Sequence, residues 1–262
     1  MTFKPKLVAF DLDGTLAESK QRVSAQMGEL ISRLLEVMPV AIMSGASFKQ
    51  FETQLLPALP ASEAQLKKLY LFPVNAAMCF VFKQEKWQAQ YDHSFNSAER
   101  GRIILAIHEA LEETGLVNIP ERKKEWGEQI EDRGAQIAFS MLGQQAPLEA
   151  KQEQHRTHED ARDRFREALT RRLPDFSILE GGLTTLDITK KGVSKAYGIR
   201  RLIEFTSISV SEMLYVGDAL QEGGNDAVVV QTGVKTHPVF GPEETAGLIT
   251  TLLRGAKHTA LV

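Results

Sequence analysis

The chain has 262 residues, 43% hydrophobic and 25% charged, with a formal net charge of -3 at pH 7. That length fits one large or two modest domains, and the near-neutral balance excludes the basic field that draws proteins to nucleic acid or to an anionic membrane. The single cysteine, Cys79, excludes an internal disulfide, and its apolar neighbours in "NAAMCFVF" mark it as an inert buried thiol.

"MTFKPKLVAF" holds too short an apolar run for a signal peptide or a membrane span, so a cytoplasmic location is expected. Leu7–Phe10 reads as a short buried strand. From about Ser19 to Val37, Val23, Met27, Leu30, Ile31, Leu34 and Leu35 fall on one helical stripe. "PVAIMSG" is a second strand, "SFKQFETQLLPAL" a helix up to Pro57, and "LYLFPVNAA" a third strand. Strand and helix in alternation predict a parallel sheet with crossover helices.

The pattern then changes. "AMCFVFKQEKWQAQYDH" reads as a hairpin turning near Gln84–Lys86, and "SAERGRIILAIHEALEETG" as a helix with Ser97 as cap and Gly115 as stop. "EQIEDRGAQIAFSMLG" predicts two strands or one bent strand. "EAKQEQHRTHEDARDR" reads as a solvated loop and helix start, and "FSILEGGLTTLDIT" follows the helix. The block is α+β in order and reads as an inserted domain, giving 1–82, 83–183 and 184–262 as first core part, insert and second core part. Its stripe Ile103, Ile104, Ile107 and Leu111 is either core or the face of a homodimer. Alternation resumes with "GVSKAYGIRRLIEF", "EMLYVGD", "NDAVVVQTG", "VKTHPV" and "GPEETAGLITTLL".

In open α/β sheets, ligands bind beyond the carboxyl ends of the strands. Asp11 and Asp13 follow "LVAF", Ser44 follows "VAIM", Asp218 follows "MLYVG", and Asn225 and Asp226 close "QEGGND"; Lys195 begins a helix. Parallel strands would bring these groups to one crevice. Clustered carboxylates repel unless a cation joins them, and hard oxygen ligands suit Mg²⁺, which pairs with phosphate. Ser44, Lys195 and loop amides could hold phosphate oxygens. Without a Walker-type loop, the phosphate comes from a small ester rather than from a nucleotide held in a P-loop. An aspartate can attack phosphorus, and a second acid can protonate the leaving oxygen.

"FDLDGTL", "MSG", "VSK" and "GDALQEGGND" resemble the four motifs of the haloacid dehalogenase superfamily of phosphatases and phosphomutases. The resemblance spans nearly the whole chain and implies a Rossmann-like α/β core with a parallel sheet and an inserted α+β cap of type IIB. It implies Asp11 as nucleophile and Asp13 as general acid and base. Ser44, with Gly45 beside it, and Lys195 would bind the transferring phosphate. Asp218 would hold Mg²⁺ with Asp11 and the backbone carbonyl of Asp13, supported by Asn225 and Asp226.

The long "GDALQEGGND", with "MSGASFKQ", "IEDRG", "LEGGLTTLDITKKGVSK" and "GPEET", is similar more narrowly to the eukaryotic-type phosphomannomutases. In that family cap arginines grip a second, distal phosphate. Arg133 matches one. Gln144 and Lys151 stand where two others are usual, and Trp126 replaces a further basic residue. Thr185 and Asp187 match residues that touch phosphate and sugar. Glutamine carries no charge, and lysine lacks the guanidinium fork. The sequence therefore favours a Mg²⁺-dependent phosphohydrolase of a small phosphate ester such as a sugar phosphate. A phosphomannomutase is the alternative. His155 and His158 lack a third ligand and read as a solvated helix, while Trp87, Tyr91 and Trp126 read as core or interface aromatics.

Overall fold

The computed structural model describes residues 3–19, 21–117 and 123–257 and divides the chain into two compact units, Met1–Asp92 with Ser194–Val262 and His93–Val193. The first unit begins with β1 (Leu7–Asp11), α1 (Ala25–Val37), β2 (Val40–Met43), α2 (Phe48–Gln54), a short α3 (Glu63–Leu66) and β3 (Leu69–Phe72). The hairpin β4 (Met78–Lys83) and β5 (Lys86–Asp92) follows. The second unit holds α4 (Ser97–Thr114), β6 (Ile130–Asp132), β7 (Gln136–Ser140), α5 (Leu148–Thr157), α6 (Glu159–Arg172), β8 (Phe176–Gly182) and β9 (Thr185–Lys190). The chain returns to the first unit with α7 (Lys195–Thr206), β10 (Met213–Gly217), β11 (Lys235–Pro238) and α8 (Pro242–Lys257). This is the expected α/β core interrupted by an α+β insert.

The core sheet has the order β11-β10-β1-β2-β3-β4-β5, parallel from β11 to β3 and antiparallel beyond. β1 is the middle of the five parallel strands and is buried on both faces, as a strand flanked by parallel neighbours must be. Val8 and Phe10 join an apolar cluster with α1 and α8, and Leu7 and Ala9 join one with Ile199 and Leu202 of α7. Because strand side chains alternate, Asp11 continues the Leu7 and Ala9 row, on the α7 side. Met213 and Tyr215 of β10 belong to that same cluster.

The insert is a four-stranded antiparallel sheet, β6-β7-β9-β8. Ile137, Phe139, Leu186 and Ile188 pack one face against Ile107 of α4 and Phe165 of α6. The register pairs Ala138 with Asp187 and Ser140 with Thr185, so those residues share the opposite face. Ile103, Ile107 and Leu111 are spent in this core, while Ile104 is exposed.

Several expectations shift. The insert starts at His93 and ends at Val193, ten residues beyond each expected boundary, because the whole hairpin β4–β5 extends the core sheet from β3. Trp87 and Tyr91 are therefore core residues: Trp87 packs edge-on against Phe82, and the Tyr91 hydroxyl donates to the Ala76 carbonyl at 2.8 Å. The stretch expected as a solvated loop and helix start is already helical over Leu148–Thr157, ahead of α6. Asn96 rather than Ser97 caps α4, accepting the Glu99 amide at 2.9 Å, and Gly115 ends that helix with φ 73°. The first helix begins only at Ala25, where Ser24 accepts the Met27 amide.

Candidate active site

β1, β2 and β10 end side by side, and the loops that leave them carry the polar groups. Carboxylate oxygens of Asp11, Asp218 and Asp226 all lie within 4.8 Å of one another. Lys195, buried at the start of α7, donates from Nζ to Asp11 Oδ1 at 2.5 Å and to Asp226 Oδ1 at 2.6 Å. Three carboxylates against one ammonium leave two negative charges without an internal partner. Burial disfavours the ionised form of Asp11, Lys195 opposes that, and Asp226 and Asp218 add to it, so the carboxyl titrates well above its ordinary range. Asp218 is raised for the same reasons, burial first and then Asp226. Lys195 is pushed upward by its two carboxylates, which outweigh its burial, and stays protonated. A hard divalent cation fits this donor set: all oxygen, closely spaced, with a charge deficit of two.

Glycines make the cluster sterically feasible. A Cβ on Gly14, which also has φ +81°, would sit 2.4 Å from Asp218 Oδ2. A Cβ on Gly217 would sit 2.3 Å from Asp226 Oδ2. Either substitution would displace a carboxylate. Thr15 donates to Asp218 Oδ1 at 3.3 Å.

Asp13 stands apart from the three. Its Oδ1 accepts the Gln54 amide, from the end of α2, at 3.0 Å. Ser44 is buried, and its Oγ accepts the Ala46 amide at 3.0 Å, which leaves the hydroxyl proton to donate elsewhere. Its backbone is pinned by Phe72 and by Asn75, part of a left-handed turn over Val74, Asn75 and Ala76. Gly45 lies next to it in the loop from β2 to α2. Asn225 is exposed, and among the described residues no hydrogen bond joins its side chain to the carboxylates.

The remaining expected residues belong to the insert. Arg133 gives Nε and Nη2 to Glu131 Oε2, at 3.0 and 2.6 Å. Gln144 donates to the carbonyls of Gln129 and Ala138, at 3.1 and 3.3 Å. Thr185 and Asp187 share one face of β9, and Gly181 lacks a side chain where Asp187 packs: a Cβ there would fall 2.6 Å from Oδ2. Lys151 lies on α5. His155 contacts Arg162 and His158 contacts Thr157, consistent with structural histidines.

The model of one family, haloacid dehalogenase-like hydrolase, matches residues 8–226, from β1 through Asp226. The chain belongs to the haloacid dehalogenase-like hydrolases. Within that family it is similar over nearly its full length to phosphomannomutases. That of Saccharomyces cerevisiae is 25% identical over 255 residues, 95% of each chain, and that of Spinacia oleracea is 24% identical over 251 residues, 94% of this chain and 95% of its own. The fold is shared with the truncated, IMP-bound IMP-nucleotidase of Plasmodium falciparum, at TM-score 0.65 and 18% identity, over 96% of this chain and 68% of that one.

Two contacts of this haloacid dehalogenase-like chain escape sequence reading. Gln54 on Asp13 joins groups 41 residues apart, and the Tyr215 hydroxyl donates to Asp226 Oδ1 at 2.5 Å from inside an apolar-looking strand. Only the alternation along β10 hints at the second, by placing Tyr215 on the Asp11 side.

Proposed function

We propose that the chain transfers the phosphoryl group of a hexose phosphate through an aspartyl-phosphate formed on Asp11. The observation that carries this reading is the buried Asp11–Lys195 contact of 2.5 Å beside Asp218 and Asp226. An Asp11 carboxylate oxygen attacks phosphorus; the new O–P bond forms as the ester P–O bond breaks. Asp13 gives its proton to the departing sugar oxygen and then takes one from the incoming hydroxyl, whose oxygen bonds phosphorus as the Asp11 O–P bond breaks and the carboxylate is restored. Lys195, the Ser44 hydroxyl and the Gly45 amide bind the phosphoryl oxygens and spread their charge. Asp11 and Asp218, with the backbone carbonyl of Asp13, would hold Mg²⁺, and Asp226 and Asn225 would support them. The cation would neutralise charge where phosphate meets carboxylate.

The acceptor hydroxyl decides the name of the reaction. Resemblance to phosphomannomutases over 95% of both chains supports a sugar hydroxyl as acceptor, with mannose 6-phosphate and mannose 1-phosphate interconverting. This reverses the weight that the sequence alone gives to hydrolysis. Water as acceptor is kept as the second reading on a specific observation in the insert. Arg133 is already engaged by Glu131, and Gln144 presents a neutral amide bonded to backbone carbonyls. Those two positions, with Lys151, would have to grip the distal phosphate of a bisphosphate intermediate, while Thr185 and Asp187 contact the sugar.

Phosphorus NMR of the protein with Mg²⁺ and mannose 1-phosphate, with and without a hexose 1,6-bisphosphate, separates the readings. Bisphosphate-dependent mannose 6-phosphate is the expected result. Free phosphate alone would make the protein a phosphatase. Asp11→Asn should abolish either product; retained turnover would sink the aspartyl-phosphate route.

A further inference from the structure

Tyr215 is fully buried in β10, in the apolar cluster with Leu7 and Ala9. A phenylalanine would fill that cluster equally well, so the hydroxyl is what this residue adds. Its proton goes to Asp226 Oδ1 at 2.5 Å. That same oxygen receives Lys195 Nζ at 2.6 Å, while Oδ2 accepts the Ala219 amide at 3.3 Å and lies over Gly217. Every oxygen of Asp226 is thus committed to a protein donor. Lys195 is shared between Asp226 and Asp11.

We infer that Tyr215 is a positioning residue, which locks Asp226 through Oδ1 and so aims Lys195 at Asp11. The inference rests on the phosphoryl-transfer reading above and extends it by one residue. Carboxylates in a lysine pair turn readily about their terminal torsion. A second donor on the shared oxygen removes that freedom, which is how outlying hydrogen bonds fix the groups that do chemistry. With the hydroxyl gone, Asp226 gains a lone pair to direct elsewhere, and the ammonium is no longer held to one aim.

The test compares Tyr215→Phe, which removes one atom and keeps the ring, with Leu214→Ala. Leu214 is the buried neighbour on the opposite face of β10 and lies outside the site. In metal-free protein labelled with 15N-lysine, the Lys195 ammonium resonance should shift and exchange faster with water in Tyr215→Phe, and stay in place in Leu214→Ala. With Mg²⁺ and p-nitrophenyl phosphate, Tyr215→Phe should lose about tenfold in kcat, with KM within about twofold. Leu214→Ala should lower Tm and leave kcat unchanged. An unmoved Lys195 resonance overturns the assignment. So does an unchanged kcat, or a kcat loss that follows Tm in both variants. A wild-type protein that turns over no phosphate ester would sink the phosphoryl-transfer reading instead, and the ammonium resonance would then decide on Tyr215 alone.

Discussion

Gln54, a residue with no chemistry of its own, holds the carboxylate proposed as the general acid. Its amide donates to Asp13 Oδ1 at 3.0 Å, and the side chain is buried at the end of α2. A hydrogen bond to a charged group contributes about 1.5 to 3 kcal/mol, and each 1.4 kcal/mol is about tenfold in rate. Gln54→Ala should therefore slow turnover about ten- to a hundredfold with a sugar phosphate, whose leaving oxygen needs the proton from Asp13. It should slow turnover much less with p-nitrophenyl phosphate, whose leaving group needs none. Equal losses with both substrates would mean that Gln54 supports the fold rather than the acid. That Asp11 and Asp218 would meet was legible because their motifs are local runs of a few residues at strand ends. Gln54 and Tyr215 were not, because their partners lie 41 and 11 residues away and depend on how strands and helices register. Cys79 behaves as its apolar neighbours suggested: burial pushes its thiol up to about 12.

At the scale of elements, the hairpin β4–β5 was recognised by its alternation and misassigned by its place in the chain. A hairpin after three parallel strands reads as a new domain, whereas its backbone continues the sheet already formed. The turn itself is left-handed at both residues, Gln84 with φ 51° and Glu85 with φ 63°. Such turns favour asparagine followed by glycine. Glu85→Gly should therefore add up to about 1 kcal/mol, seen as a Tm rise of about 2 to 4 °C with unchanged turnover. A fall in Tm would mean that the glutamate side chain contributes more than its backbone costs. The helix Leu148–Thr157 was missed for a different reason: its residues are nearly all polar, so it carries no apolar stripe to betray its period.

For the whole molecule, the carboxylates set a balance between stability and function. In the metal-free fold, Asp11 and Asp218 titrate above the ordinary aspartate value of 3.8, because burial and neighbouring charge disfavour their ionised forms. An acid whose pKa rises on folding adds stability below its unfolded value and loses it as pH climbs through the folded one. Metal-free protein should thus weaken as pH rises from about 4 toward neutrality, and Mg²⁺ should offset that loss by binding the ionised groups. Thermal melts with Mg²⁺ and with EDTA check this: the gap in Tm should be small near pH 4.5 and large near pH 7.5, to within about half a unit. A gap of equal size at both would mean that these carboxylates do not carry the cation. The need for a cation among clustered carboxylates was legible from motif chemistry, but which aspartates cluster and which pair with Lys195 was a matter of three-dimensional packing.

The pairing of β1 with β10 has a consequence for synthesis. Leu7 faces Met213 in the β1–β10 ladder, so an inner strand of the core sheet waits for a partner roughly 200 residues downstream, about 10 to 40 s at ribosomal rates. During that wait β1 can pair with β2 on one side only, and its other side is an open, apolar ladder of the kind that recruits neighbouring chains. The insert, with its own apolar cluster, emerges entirely within this interval. Nascent chains stalled between Val193 and Met213 would carry a finished insert and a gaping core, and are the species that a ribosome-associated chaperone would most need to shield.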